Sequence, residues 1–215
     1  MCVESIRLVE NQGIAKALNV GLDVIMKREF KYMARLDAGD EVHPERNLLQ
    51  MEYLEAHPDV AVVGSHALVT DPQGRGIYPE TPPAAEQSLR RAMHLRNVMP
   101  HASIMLRCDV LRDVGVYSDA YPAAEDYELL MRIMQRHRAA VVGGVLVKLK
   151  FHPQGITQSR RRDALLSRLR IQWMYFKWRY PESYVGILRS LAALAVPASV
   201  NEFRKRLSFR GDPTQ

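Results

Sequence analysis

With 215 residues, 47% hydrophobic and 25% charged, the chain can bury the core of one soluble domain with an appendage. Cys2 and Cys108 are too few and too far apart for a disulfide framework or a cysteine metal site, so a reducing, cytoplasmic compartment is expected. The net charge of +6 gathers beyond residue 160, where Arg160, Arg161, Arg162, Arg168, Arg170 and Lys177 begin a basic stretch. That stretch suits phosphate in a lipid headgroup, nucleic acid or pyrophosphate, or else it is a solvated helix face.

The opening MCVESIRLVE carries Glu4, Arg7 and Glu10, which breaks the apolar run a signal peptide needs. Residues 6–9 (IRLV) predict a short strand and residues 11–13 a turn. Ile14, Leu18, Leu22 and Ile25 then fall at helical spacing, predicting a helix over 14–26. Alternation of Tyr32, Ala34 and Leu36 against Lys31 and Arg35 predicts a strand over 30–36. An acidic loop follows, and Pro44 opens a helix that runs to about residue 56. Residues 60–63 (VAVV) predict a buried strand stopped by Gly64. The run Asp71-Pro72-Gln73-Gly74 predicts a hairpin turn and residues 79–83 a loop.

Helix is predicted over 84–94, strand over 101–107 and a short helix over 110–114, closed by Gly115. Residues 125–137 predict an amphipathic helix with Leu129, Leu130, Ile133 and Met134 on its apolar side, and 141–149 predict a strand. Residues 163–180 predict one long, basic, aromatic-rich helix, and 184–200 a second apolar one. These last two predict a helical hairpin that packs on the domain or lies on a membrane surface, since the second falls short of a bilayer span. Alternating strands and helices predict an α/β sheet with helical crossovers. The division expected is a domain over 1–159 and a C-terminal extension over 160–215.

Three groups of residues could carry chemistry. In Ala34-Arg35-Leu36-Asp37-Ala38-Gly39-Asp40, two carboxylates follow the end of a buried strand, the edge at which α/β sheets bind ligands. They could hold a hard divalent cation; the structural alternative is a polar turn with Asp40 as a cap. Glu125 and Asp126 start a helix, where acids favour the dipole and where a carboxylate could also take the proton of a sugar hydroxyl. In the run Asn11 to Leu22, Lys16 and Asn19 share a helix face and could reach a phosphate or a base. His101 and His152 could bind metal or pyrophosphate, or serve as structural histidines. There is no Gly-rich Walker or Rossmann loop and no Ser-His-Asp order.

The order of these segments carries more than any one of them. NQGIAKALNVGL, then LDAGD, then HPERNLLQMEYLEAHPDVAVVGS, then HASIMLRCDVLRDVGVYSDAYPAAEDYELLMRI resembles the inverting glycosyltransferases of family 2, which have the GT-A fold. The resemblance spans residues 6 to about 159. It implies a GT-A-like mixed sheet flanked by helices, a nucleotide-diphospho-sugar donor, a glycan or lipid-linked acceptor, and Mg²⁺ or Mn²⁺. It also implies roles: Asp126 as general base with Glu125 beside it, and Lys16, Asn19 and Asp37 on the nucleotide side. Asp37, Asp40 and His152 would lie at the metal, and His101 on the acceptor side.

The sequence departs from the family pattern in two ways. The acidic motif commonly reads Asp-x-Asp-Asp, and here its third position is Gly39, which weakens the expected ion site. Family members also begin with a strand and a nucleotide-gripping segment, whereas residues 6–9 already resemble the third strand. The expectation is therefore a chain without that N-terminal part, with an open sheet edge beside residues 30–36. A non-catalytic remnant or binding module that keeps the fold is the rival expectation. Peripheral contact with an anionic membrane is expected of the basic extension, and no nucleic acid partner, since no nucleic-acid-binding motif accompanies the charge.

Overall fold

The computed structural model describes residues 3–151 and 160–195. In chain order its elements are α1 (Ile14–Lys27), β1 (Tyr32–Ala34), β2 (Glu41–Val42), α2 (Arg46–Ala56), β3 (Val60–Thr70), β4 (Gly76–Glu80) and α3 (Glu86–Leu95). A 3₁₀ turn (His101–Ser103) then leads into β5 (Met105–Arg107), α4 (Cys108–Val114), α5 (Glu125–Arg136) and β6 (Arg138–Lys150). Two helices end the described chain, α6 (Arg161–Met174) and α7 (Pro181–Ala195).

The sheet is ordered β1-β5-β3-β6-β2, with β4 paired to the second half of β3. Among the described residues only β3 and β6 run parallel, and the other pairs are antiparallel. Period-two alternation divides the side chains between two faces. Met105 and Ala140 join Leu54 of α2 on one face, while Leu106, Ala139 and Val141 join the larger core on the other. That larger core also takes Leu22 of α1, Leu89 and Met93 of α3, Leu111 of α4, Leu130 and Ile133 of α5, and Ile171 of α6. Each fully buried aliphatic side chain of this kind contributes roughly 1.5–3 kcal/mol. Mixed sheet and flanking helices agree with the expected α/β class.

Four sequence expectations differ from the structure. Residues 6–9 form no strand: no described strand neighbours them, and an extended segment without a ladder partner has nothing to hold it. β3 is not stopped at Gly64, which pairs with Val141, and the long ladder to β6 outweighs glycine's weak strand propensity. The strand expected over 101–107 begins only at Met105, because His101–Ser103 wind into a 3₁₀ turn. The helix expected over 163–180 ends at Met174 and a new one begins at Pro181, whose ring disfavours helical geometry in the residue before it.

Among the described residues β1 pairs only with β5, at one edge of the sheet. The hairpin of α6 and α7 docks on α3. Gln172 donates to the carbonyls of His94 and Leu95 at 3.3 and 3.0 Å, and Ser190 donates to Gln172 at 2.9 Å. Gly186 is required at this contact, since a Cβ there would lie 2.1 Å from the His94 carbonyl oxygen. Among the described residues no helix is long and apolar enough to cross a membrane.

Candidate active site

The acidic loop begins where β1 ends. Its shape is a tight turn in which the Asp40 amide donates to the Asp37 carbonyl at 3.2 Å, with Gly39 at φ +93°. An L side chain rarely adopts that angle, so the glycine that departs from the family motif is also the residue this turn geometry favours. Asp40 Oδ1 accepts the Lys150 amide at 2.9 Å and ties the loop to the end of β6. Asp37 is half-exposed and accepts from the guanidinium of Arg35, which also donates to the Leu36 carbonyl. The Nε of Arg35 is buried with no acceptor among the described residues.

Beneath the loop, α2 supplies a buried polar clamp. Arg46, 2% exposed, donates to the carbonyls of Arg35 and Ile104 at 2.9 and 3.1 Å and to Gln50 at 3.0 Å. Gln50 in turn donates to the Ser103 carbonyl at 2.8 Å. Burial lowers the Arg46 pKa to about 10. The clamp thus fixes the end of β1 against the turn that carries His101.

His101 and the Tyr117 hydroxyl share a hydrogen bond of 2.8 Å. Burial, and then the nearby Arg35 charge, push the His101 pKa well down, with Asp37 opposing, so the ring is neutral at pH 7. Tyr117 is itself held by Asn19, which donates to its carbonyl at 2.8 Å and accepts its amide at 3.0 Å. Asn19, expected on the nucleotide side, thus spends both ends of its amide on the backbone of Tyr117. Lys16, one turn earlier, is exposed on α1.

At the start of α5, Glu125 and Asp126 take different environments. Ala123 is left-handed, at φ 58°, just before the helix. Burial raises the Glu125 pKa, the amides of Glu125, Ala124 and Ala123 pull it back, and Asp126 raises it further. Asp126 is only part-buried by accessible surface yet feels strong desolvation, which raises its pKa; the charge of Asp37 adds to this. Opposing that rise, the amides of Tyr127 and Asp126 and the side chain of Asn97 favour its ionised form, Asn97 Nδ2 donating to Oδ2 at 2.8 Å.

The structure therefore draws Asp37, His101, Glu125 and Asp126 into one electrostatic neighbourhood, and adds Arg35, Asn97 and Tyr117. Arg35 and Tyr117 stand inside the runs ARLDAGD and DVGVYSD, while Asn97 carries no signal of its own in the sequence. His152 lies outside the described residues. Among the described residues no group of three His, Cys, Asp or Glu could hold a metal. An open cleft of about 300 Å³ lies elsewhere, at the start of β3, lined by residues such as Asp59, Arg107 and Asp113, and contains none of the expected site residues.

The family model described as "Glycosyl transferase family 2" matches residues 1–115, more than half of the chain. The chain belongs to this family. Its relatives include the amylovoran biosynthesis glycosyltransferase AmsE of Erwinia amylovora, 28% identical over 165 residues, 76% of this chain and 60% of AmsE. A glycosyltransferase of Haemophilus influenzae is 25% identical over 194 residues, 89% of this chain and 68% of that protein. The chain thus spans about three-fifths of the length of AmsE.

Among solved structures, Staphylococcus aureus TarS (residues 1–349) matches with a TM-score of 0.56 and 16% identity, over 89% of this chain and 54% of that one. The mannosyltransferase PcManGT of Pyrobaculum calidifontis, solved with GDP-Man and Mn²⁺, matches with a TM-score of 0.53 and 15% identity, over 87% and 51%. These likenesses establish the GT-A-type fold. The family match takes in Asp37, Asp40 and His101 and stops before Glu125 and Asp126.

Proposed function

We propose that the chain transfers a hexose from a nucleotide-diphospho-sugar to a glycan or lipid-linked acceptor with inversion, Asp126 serving as general base. One observation carries the reading: Asp126 stands at the start of α5 with one oxygen held by Asn97, within the field of Asp37. As the acceptor oxygen attacks the anomeric carbon, the bond from that carbon to the diphosphate breaks. The acceptor proton passes to Asp126, and the nucleoside diphosphate leaves with the electron pair. A single displacement of this kind inverts the centre, and a carboxylate with a raised pKa suits it because the hydroxyl it serves is a weak acid.

On the donor side, the buried Nε of Arg35 offers an N–H to a phosphate oxygen. Lys16 lies on the nucleotide side in this reading, and Asn19 supports the site through Tyr117. His101, neutral and paired to Tyr117, lies on the acceptor side. The names of AmsE and PcManGT, in amylovoran biosynthesis and with GDP-Man, support a polysaccharide or cell-envelope product and a nucleotide-sugar donor. A cytoplasmic setting belongs to the same reading and rests on the low cysteine content.

A divalent cation, Mg²⁺ or Mn²⁺, would supply charge neutralisation for the leaving diphosphate, and Asp37 would be the residue to offer it a hard oxygen. Each acid of the loop already has one oxygen engaged, Asp40 by the Lys150 amide and Asp37 by the Arg35 guanidinium. Among the described residues no three His, Cys, Asp or Glu gather to hold the ion without the donor.

The test is a calorimetric titration of the chain with a panel of nucleotide sugars, followed by a transfer assay on the one that binds. Binding and turnover of one donor are expected. If none binds, the fold serves a different purpose, as a binding module without a donor site.

A further inference from the structure

The outer face of the α6–α7 hairpin has no use in the reaction proposed above. Its inner face is fixed: Ile171 is fully buried, Gln172 donates to α3 while Ser190 donates to Gln172, and Ser183 Oγ lies 3.1 Å from His94 Nδ1. The opposite side is thereby fixed as well. It presents Trp173, Trp178 and Leu188, each more than three-fifths exposed, beside Tyr184 and Leu191. Tyr184, Leu188 and Leu191 are spaced i, i+4 and i+7 along α7 and share one face.

The aromatic part of this surface is continuous. The rings of Trp173 and Phe176 lie 6.4 Å apart, and those of Phe176 and Tyr184 meet edge-on at 4.8 Å. The Tyr184 hydroxyl donates to the Trp178 carbonyl at 3.3 Å. Tryptophan and tyrosine exposed together in this way are costly in water and well placed at the boundary between headgroups and acyl chains.

Charge decides what the face can meet. Arg170, Arg179 and Arg189 are exposed around it, and the Arg179 guanidinium lies 4.8 Å from the Trp178 ring centre. Between residues 164 and 195 the sole acid is Glu182, 4.0 Å from Arg91. A second copy docked through a two-fold axis would bring arginine against arginine. Residues 196–215 carry Arg204, Lys205, Arg206 and Arg210 against Glu202 and Asp212, the same sign as this rim. An anionic lipid surface is the partner whose charge is opposite and whose interior is apolar.

We propose that this face docks the protein on the headgroup boundary of an anionic membrane. α7 lies along the surface rather than through it, Trp173, Trp178, Tyr184 and Leu188 enter the acyl boundary, and the arginines meet lipid phosphates. The proposal is independent of the transfer reaction, so each can fail without the other.

The experiment is sedimentation of the full chain with phosphatidylcholine vesicles and with mixed phosphatidylcholine–phosphatidylglycerol vesicles, with tryptophan emission read in parallel. Binding to the mixed vesicles at least about tenfold tighter than to the neutral ones, weakened by salt, with a blue shift in emission, is expected. R179E/R189E should weaken it by about tenfold or more, and W178S/L188Q should weaken it and shrink the blue shift, which Trp173 still reports. All four side chains are exposed, so both variants should keep the parent's melting temperature, measured alongside. Equal binding to both vesicle types, no binding to either, or unchanged binding by both variants overturns the proposal. A concentration-dependent dimer that W178S/L188Q abolishes, without vesicle binding, would assign the face to a second copy instead.

Discussion

Asn97 holds Asp126 by one oxygen. Its Nδ2 donates to Oδ2 at 2.8 Å, while its own Oδ1 accepts the Met99 amide at 3.1 Å and so fixes which end of the amide faces the carboxylate. The pair joins the loop after α3 to the start of α5. A hydrogen bond to the ionised carboxylate favours that form. Burial and the charge of Asp37 push the other way and leave the pKa of Asp126 raised.

A base must be ionised to work, so the rate falls as pH drops through its pKa. The acid limb of kcat/KM should therefore lie above the ordinary aspartate range. N97A should move that limb upward by about one pH unit, because it removes a bond to the ionised form. D37N should move it downward, because it removes a repelling negative charge. A pH profile of parent and both variants checks this; shifts of the opposite sign would separate Asp126 from the titrating base.

Asp37 and Asp40 should behave differently despite their shared motif. D37A should weaken donor binding and abolish its response to chelator. D40A removes the acceptor of the Lys150 amide and should instead cost about 1–2 kcal/mol of stability, with donor binding still sensitive to chelator. Thermal melts and donor titrations in the presence and absence of EDTA separate the two roles.

The docking of the C-terminal hairpin should depend on pH through His94. This ring is buried against Ser183 and edge-on to Tyr180, and burial, with Lys177 adding and Glu182 opposing, lowers its pKa from 6.5 to about 4. The unfolded chain takes up a proton near pH 6.5 that the folded chain refuses, so stability is lost as pH falls from about 6.5 to about 4. The full loss is of the order of 3 kcal/mol, and H94Q should flatten it, leaving the part due to His101, which is depressed in the same direction. G186A should lower stability by roughly 1–3 kcal/mol at every pH, since its Cβ would collide with the His94 carbonyl. Chemical denaturation across pH checks both.

Much of the sheet is legible in the sequence because its signals are local. Alternation identifies the strand that leads to Asp37, and acids in a first turn followed by Leu129, Leu130, Ile133 and Met134 identify α5. What is not legible depends on partners distant in the chain. Residues 6–9 read as a strand, but pattern cannot supply a neighbour. Gly64 reads as a stop until the ladder to β6 carries it through. Asn97 is an ordinary loop residue in sequence, and only the fold brings it to Asp126, 29 positions later. Asn19 illustrates the same limit, since its spacing with Lys16 suggested a ligand and the fold turns it to the backbone of Tyr117, 98 positions away.

In the proposed reaction Asp126 takes the acceptor proton. The direct measurement is a paired donor titration and single-turnover transfer assay on the parent and D126N. D126N should keep donor affinity within about threefold of the parent and transfer more slowly by roughly a hundredfold or more. Transfer by D126N at near the parent rate, with donor binding intact, would contradict it and leave Asp126 as an acid that merely begins a helix.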